Sequence, residues 1–306
     1  MAQPLKLSHV DIRLLRVFAT VVDCGGFAPA QVALNVSQST ISVHMTALET
    51  RLDMRLCERG RSGFRVTPEG RRVYEATQSL FRAIDSFGSE VEALRGRLTG
   101  ELHIGCVDSV VTNPDFALPR ALARFEARHG AVEVSLHIAT PAEIERAVIE
   151  GRFHIGIGGY TQRLAALDYR PLIPEAQRLY AARDHPLAAL PPPGPAPGDL
   201  GRYKFARRSY VPESAIPYAE HLNTSAQAEN MEATAMLILS GAYIGFLPEH
   251  FARAWTHQGA MVSILSELMR FDSMLELITR KTVPQTPAAA YFRADLLDAF
   301  GITGAA

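Results

Sequence analysis

Ile41, Met45, Leu48 and Leu52 fall at i, i+4, i+7 and i+11, one narrow face of a helix turning about 100° per residue. That face predicts a buried side and a helix starting near Ser37, whose hydroxyl can accept from a first-turn amide, with Asn35-Val36 as a short turn before it. Opposite lie Ser39, Ser42, Val43, Thr46 and Thr50, short and almost uncharged. Upstream, Ala28 to Leu34 reads as a shorter helix with Pro29 in its first turn, where a missing amide hydrogen costs nothing. Before it, Ser8-His9-Val10-Asp11 is a capping box opening a helix whose core stripe is Leu14, Leu15, Phe18, Val21 and Val22, stopped by Gly25-Gly26.

Thr67 and Pro68 open a long helix expected to reach about Leu98. Val73, Leu80, Ile84, Phe87, Val91 and Leu94 form a heptad seam on which only Thr77 is polar. A connector about 30 residues long, roughly 45 Å at 1.5 Å per residue, has little nearby chain to cover that seam, so it predicts a homodimer through this helix. Gly88 in its middle should cost about 1 kcal/mol and marks a candidate bend.

From Gly100 the period changes. Glu101 to Val107 is a predicted strand, Leu118 to His129 a helix, and Val132 to Ile138 a strand with Val132, Val134, Leu136 and Ile138 inward. Glu143 to Glu150 is a helix and Phe153 to Ile157 a buried strand, so the β-α-β-α-β order implies a parallel sheet with right-handed crossovers. Beyond Tyr160 a second unit places strands at Arg178 to Arg183, Tyr203 to Arg207, Tyr243 to Pro248 and Met274 to Thr279, with helices at Glu229 to Ser240 and Tyr291 to Phe300. The run Pro191-Pro192-Pro193-Gly194-Pro195-Ala196-Pro197-Gly198 is a surface loop.

The chain has 306 residues, more than one core usually holds, and a net charge of −1. That balance hides an asymmetry. Residues 1–97 carry 13 Lys+Arg against 10 Asp+Glu. Within them Arg51, Arg55, Arg59, Arg61, Arg65, Arg71 and Arg72 meet only Asp53, Glu58 and Glu69. The segment Arg59-Gly60-Arg61-Ser62-Gly63-Phe64-Arg65-Val66, with glycines between arginines, reads as a hairpin wing lying on phosphates. No long apolar run and no basic-then-apolar leader pattern is found, so no membrane partner and a cytoplasmic protein are expected. Cys24, Cys57 and Cys106 are too few and too far apart for a disulfide framework or a zinc site, and no metal or cofactor is expected. Cys106 is open to two readings, a redox sensor or a small buried thiol.

Two helices joined by a tight turn, the second with short polar residues outward, form a helix-turn-helix, because small side chains let a helix enter a major groove about as wide as itself. A Ser/Thr-faced helix can also be a solvated surface helix, and arginine-rich turns can serve solubility alone. Helix, turn and basic wing in this order within about 40 residues favour a reader of double-stranded DNA.

The pattern Leu15-Arg16-Val17-Phe18, Phe27, Ala30, Leu34, Ser37-Gln38, Ile41-Ser42, Leu48-Glu49, Leu52, Leu56, Arg59 and Thr67-Pro68-Glu69-Gly70 resembles the LysR-type transcriptional regulators. His185-Pro186-Leu187 and Gly241 to Pro248 carry the resemblance, less specifically, into the C-terminal region. It implies an α/β multidomain chain. Residues 1–66 would be a winged helix-turn-helix and 67–98 a linker and dimerisation helix. Residues 99–306 would be a two-lobed α/β effector domain of type II periplasmic-binding-protein architecture. Lobe I would take about 99–161 and 266–306, and lobe II about 162–265. Gln38, Ser39, Ser42 and Val43 would face bases, with Thr46 on the same face, and Arg59 and Arg61 would sit in the wing on the backbone or minor groove. Departures are Gln31, Asp53, Cys57 and Val43; a valine cannot donate to guanine but can touch a thymine methyl.

The expected function is a sequence-specific transcriptional regulator, a homodimer or homotetramer, controlled by a small-molecule effector between the lobes. Ligands in such sheets bind at strand carboxyl ends near helix N-termini, which selects Ser109, Thr140 and Gly159, and Arg207 from the second lobe. Arg207 and the helix amides suggest a carboxylate effector; Ser109 and Thr140 serve equally well as N-caps. A solute-binding protein without a transcriptional role is the alternative. An enzyme is not expected. Asp108-Ser109, His137 and His154 could be imagined as a hydrolase set, but their strand phases disagree and no nucleophile elbow accompanies them.

Overall fold

The computed structural model describes residues 6–60, 63–190, 195–265 and 267–302. It divides into two compact units, Met1–Gly88 and Ser89–Ala306.

In the first unit, α1 (His9–Asp23) opens on Ser8, whose hydroxyl and amide exchange hydrogen bonds with Asp11. Its apolar stripe meets α2 (Phe27–Leu34) and α3 (Gln38–Leu52). Between them Asn35 takes the left-handed conformation at φ 51°, which an asparagine tolerates, and turns the chain. Ser37 caps α3, its Oγ accepting from the Thr40 amide at 3.2 Å. Ile41, Met45 and Leu48 are buried with Phe18, Val21, Ala30 and Leu56, the expected inward face. β1 (Cys57–Gly60) and β2 (Gly63–Val66) form an antiparallel hairpin. Thr67 caps α4 (Pro68–Leu94) by accepting from the Gly70 amide at 2.9 Å.

α4 ends at Leu94, before the expected Leu98. Its seam also divides. Val73 and Leu80, with Tyr74 and Phe81, pack on the first unit's own core, and Thr77 is buried with its hydroxyl donating to the Val73 carbonyl. Ile84, Phe87 and Leu94 are left exposed, Phe87 by 67% and Leu94 by 88%. The early turns run beside a core that can cover them, and the late turns do not.

The second unit is built on one nine-stranded sheet. β3 (Gly100–Cys106), α5 (Leu118–His129), β4 (Val132–Ile138), α6 (Pro141–Ile149) and β5 (Ile155–Gly159) follow in sequence, and the three strands pair parallel in the order β4-β3-β5. β4 lies at the sheet edge, so its alternation does not mark a buried face. Val132 is buried, but Leu136 and Ile138 are exposed, Ile138 by 62%, against the inward phase expected of them.

β6 (Leu167–Ala182) is 16 residues long; it takes in the strand expected from Arg178 except its last residue, Arg183, and starts well before it. β7 (Lys204–Arg208), β8 (Asn223–Ala228), α7 (Met231–Leu239), β9 (Ile244–Pro248), α8 (Glu249–His257) and β10 (Met261–Ser263) complete the second half of the sheet. β11 (Arg270–Arg280) then returns antiparallel along β6, and α9 (Pro287–Ala299) packs against α5. The strand order is β4-β3-β5-β11-β6-β9-β7-β8, with β10 on β6. β11 pairs with β5 at one end, and β6 pairs with β9 at the other, so these two strands belong to both halves. Of the proline-rich run, Pro191 to Gly194 lie outside the described residues, and Pro197–Arg202 forms a short 3-10 turn.

Candidate functional site

Two sites emerge, one in each unit. On α3 the residues opposite the core stripe are accessible: Gln38, Ser39 and Thr46 are exposed, Val43 by 66%, and Ser42 is half-buried. Ser42, Val43, Thr46, Ala47, Thr50 and Arg51 line an open concave surface. Thr46 is exposed and donates its hydroxyl to the Ser42 carbonyl at 3.0 Å. The face carries small donors and acceptors and a methyl-rich patch at Val43, the chemistry that reads base edges.

A supporting frame fixes α3 to the hairpin. Glu49 Oε1 accepts from the Leu56 amide at 2.8 Å and the Cys57 amide at 3.1 Å, tying α3 to β1. Gly70 sits where a Cβ would lie 2.1 Å from the Leu56 carbonyl oxygen, so only glycine lets α4 start against the hairpin. Phe27 and Phe64 meet edge to face at 5.8 Å, seating the hairpin on α2. Arg51 is engaged, its Nε donating to Asp11 Oδ1 at 3.1 Å and its Nη2 to the Lys6 carbonyl at 3.0 Å. The Ser8 amide and hydroxyl, and then Arg51, hold the Asp11 carboxyl below its ordinary range. Arg65 pairs across the hairpin with Glu58 at 2.7 Å. Among the described residues of the basic stretch, Arg51 and Arg65 are therefore tied to carboxylates. Arg59 lies in β1 opposite Phe64, its side chain outside what is described, and Arg61 lies outside the described residues.

In the second unit, the carboxyl ends of β3 and β7 and the starts of α7 and α8 converge. The Asp108 carboxylate accepts from the Met231 amide at 2.5 Å, at the start of α7, where Glu232 is the next residue. Burial and then Glu232 push the Asp108 carboxyl up to about 7. Thr112 Oγ1 lies 2.7 Å from His250 Nδ1, and His250 Nε2 lies 2.9 Å from Glu175 Oε1. The other Glu175 oxygen accepts from Gln177 Nε2 at 2.7 Å and Ser273 Oγ at 3.2 Å. Gln177 Oε1 in turn accepts from Arg208 Nη2 at 2.8 Å. Two separate contacts, Asp108 with α7 and Thr112 with His250, thus join the two halves of the sheet.

Of the residues selected for this site, Ser109 lies within it. It is buried, left-handed at φ 62°, and its Oγ has no hydrogen-bond partner. Thr140 has its hydroxyl and amide engaged in a capping box with Glu143, at 2.8 and 3.0 Å, so the cap reading accounts for its polar atoms. Gly159 pairs with Leu275 in the sheet. Arg207 points to the other side of β7, its Nη1 3.7 Å from Glu213 Oε1, and the arginine in the network is Arg208. One residue of strand phase separates the two, and the buried Gln177 acceptor on the neighbouring structure fixes which one turns inward. Sequence reasoning missed Glu175, Gln177 and His250, because they come from strand and helix segments whose extent it did not predict.

The Cys106 thiol is fully buried and pushed up to about 12 by that burial, with the Asp108 charge adding to it, which removes the thiolate that redox sensing needs. His137 and His154 stack beside His103 and Phe153, apart from the Asp108 contacts, so the imagined hydrolase set is not assembled. Among the described residues no group of three or more His, Cys, Asp or Glu could hold a metal ion, and no helix is long and apolar enough to cross a membrane.

Comparison with known proteins assigns a domain family to each unit. Residues 12–71 match the bacterial regulatory helix-turn-helix protein, lysR family, and residues 95–301 match the LysR substrate binding domain. The HTH-type transcriptional activator BauR of Pseudomonas aeruginosa is 40% identical over 277 residues, covering 90% of this chain and 91% of that protein. The SDS degradation transcriptional activation protein of a Pseudomonas species is 26% identical over 94% of this chain and 96% of its own length. In fold, the chain matches full-length CbnR complexed with its target DNA at a TM-score of 0.68 and 22% identity, over 94% of this chain and 99% of that one. The chain belongs to the LysR family: it is a transcriptional regulator, not an enzyme, with a helix-turn-helix DNA-binding domain and a C-terminal effector-binding domain.

Proposed function

We propose that Gln38, Ser39, Ser42, Val43 and Thr46 read base edges in a major groove while Arg59 and Arg61 hold the flanking backbone. The exposed, short-chained face of α3 carries this reading, and the tie from Glu49 to the hairpin supports it by fixing helix and wing as one body. The DNA in the CbnR structure belongs to that protein, and its fold likeness makes the same docking reasonable for this one. The domains follow the layout 1–66, 67–98 and 99–306, with the crossover between lobes on β6 and β11. Exposed Ile84, Phe87 and Leu94 support dimerisation through α4, and a pair of dimers would give the tetramer. The protein works in the cytoplasm, where its DNA is.

The effector occupies the cleft around Asp108, Ser109 and Arg208, and shifts the populations of two arrangements of the lobes. Thr140 and Gly159, at neighbouring strand ends, border it. A carboxylate on the effector would meet Arg208, the inward arginine, where Arg207 was expected. The unpartnered Ser109 hydroxyl supports a polar ligand there.

The test is a footprint of the full-length protein on DNA flanking its own coding region, with and without pooled small molecules from the source cells. A specific footprint that changes with the pool is expected; no specific binding there or in a genome-wide selection would sink the reading. Arg61→Ala should lower the salt slope of binding by about one unit, as one lost phosphate contact does.

A further inference from the structure

We propose that Val43 is the specificity-determining residue of α3, and that it selects a thymine by apolar contact with the 5-methyl group of that base. This rests on α3 lying in the major groove. Val43 is 66% exposed, and Thr46, Ala47 and Thr50, at i+3, i+4 and i+7 from it, are exposed along the same concave surface. Each of the four side chains carries a methyl group. Together they make an apolar strip two turns long on the face opposite the buried Ile41, Met45 and Leu48.

The groups that would read a guanine are occupied elsewhere. Guanine presents two acceptors, O6 and N7, and takes a long cationic donor such as arginine or lysine. Between Gln38 and Leu52 that donor is Arg51. Its Nε donates to Asp11 Oδ1 at 3.1 Å, and its Nη2 to the Lys6 carbonyl at 3.0 Å and to Asp11 Oδ2 at 3.4 Å. The guanidinium is thus held on α1, with Asp11 itself fixed by the Ser8 amide and hydroxyl. The His44 imidazole keeps Nδ1 buried, so it cannot offer both ring nitrogens to a base. Glu49 could accept from the cytosine opposite a guanine, but its Oε1 already accepts from the Leu56 and Cys57 amides.

Thymine supplies what this face can use. Its methyl group projects into the major groove, and the other three bases have none at that position. A valine in a helix holds one main rotamer, so it loses little freedom when a base covers it. Its surface also gives up no hydrogen bonds to water on burial. Burying one methyl group is worth about fourfold in affinity, which sets the size of the effect at each copy of α3 on the DNA.

The experiment uses the full-length protein and the duplexes it selects from a random-sequence library in the presence of non-specific competitor. Each thymine of the selected site is replaced in turn by deoxyuridine, which keeps every hydrogen-bonding group and removes the 5-methyl alone. Binding is expected to weaken about fourfold at the thymine beneath Val43. In Val43→Ser the same replacement is expected to make no difference. Val43 lies outside the core, so this variant should keep the thermal midpoint of the parent, which is measured alongside. A site where no deoxyuridine weakens binding, or a loss that persists in full in Val43→Ser, overturns the methyl contact and leaves α3 in the groove. A protein that selects no preferred sequence overturns the groove reading along with it.

Discussion

At the scale of single residues, the DNA-binding unit depends on positions that touch no base. Gly70 lies against the Leu56 carbonyl so closely that Gly70→Ala must displace either α4 or the hairpin. A loss of about 2–3 kcal/mol is expected, the range of an overpacked core, read by chemical denaturation. Glu49→Ala strips acceptors from the Leu56 and Cys57 amides, which are buried. It should cost about 2 kcal/mol, because buried donors are left unpaired. The same variant should weaken DNA binding more than its stability loss explains, as the hairpin is freed from α3; equal affinity would show that the hairpin contributes nothing. Cys106, with its thiol held protonated inside the sheet, should resist iodoacetamide at neutral pH until denaturant is added. Rapid labelling of the native protein would contradict that burial.

At the scale of elements, what the sequence made legible is what local chemistry decides. The Ser8 and Ser37 caps, the turn at Asn35-Val36 and the Thr67-Pro68 start were readable because each is settled within four residues of itself. So were α5 and β4, whose predicted limits coincide with the observed ones. What a neighbour decides was not readable. Leu136 and Ile138 alternate as a half-buried strand does, but β4 has a partner on one edge alone. β6 begins well before the expected Arg178, running through Pro171 and Pro174 to pair with β11, a start that only the partner strand decides. Arg207 and Arg208 differ by the side of β7 they occupy, and a sequence with no pairing register cannot tell the sides apart. The seam of α4 was legible as a stripe but not as one shared between two coverings. Phe87→Glu should turn a dimer into a monomer by sedimentation without changing the thermal midpoint of the first unit by more than a few degrees, since Phe87 is outside its core. A dimer that persists would place the interface elsewhere.

At the scale of the whole regulatory unit, its halves are held by the shared strands and by side-chain contacts, of which the one from Asp108 titrates. Asp108 has its carboxyl raised in the folded chain, so it binds its proton more tightly there than when opened or unfolded. Its contribution to the closed arrangement is complete below the ordinary Asp range near 4 and is lost as pH rises through about 7. Amide exchange at the start of α7, corrected for the intrinsic rate, should therefore be faster at pH 8 than at pH 6. A flat profile would mean that the proton on Asp108 holds nothing.

The course of the chain through the sheet has a consequence for how the protein is made. The first unit is complete by Gly88, so it can finish folding while most of the polypeptide is still to be translated. The regulatory unit cannot. The core of its first half, around Phe125 and Leu102, is closed by Leu277 of β11 and Phe292 of α9, after every strand of the second half has been built. A ribosome therefore holds a finished reader of DNA joined to a sensor with its oldest core still open, and a message truncated before β11 would yield the first without the second.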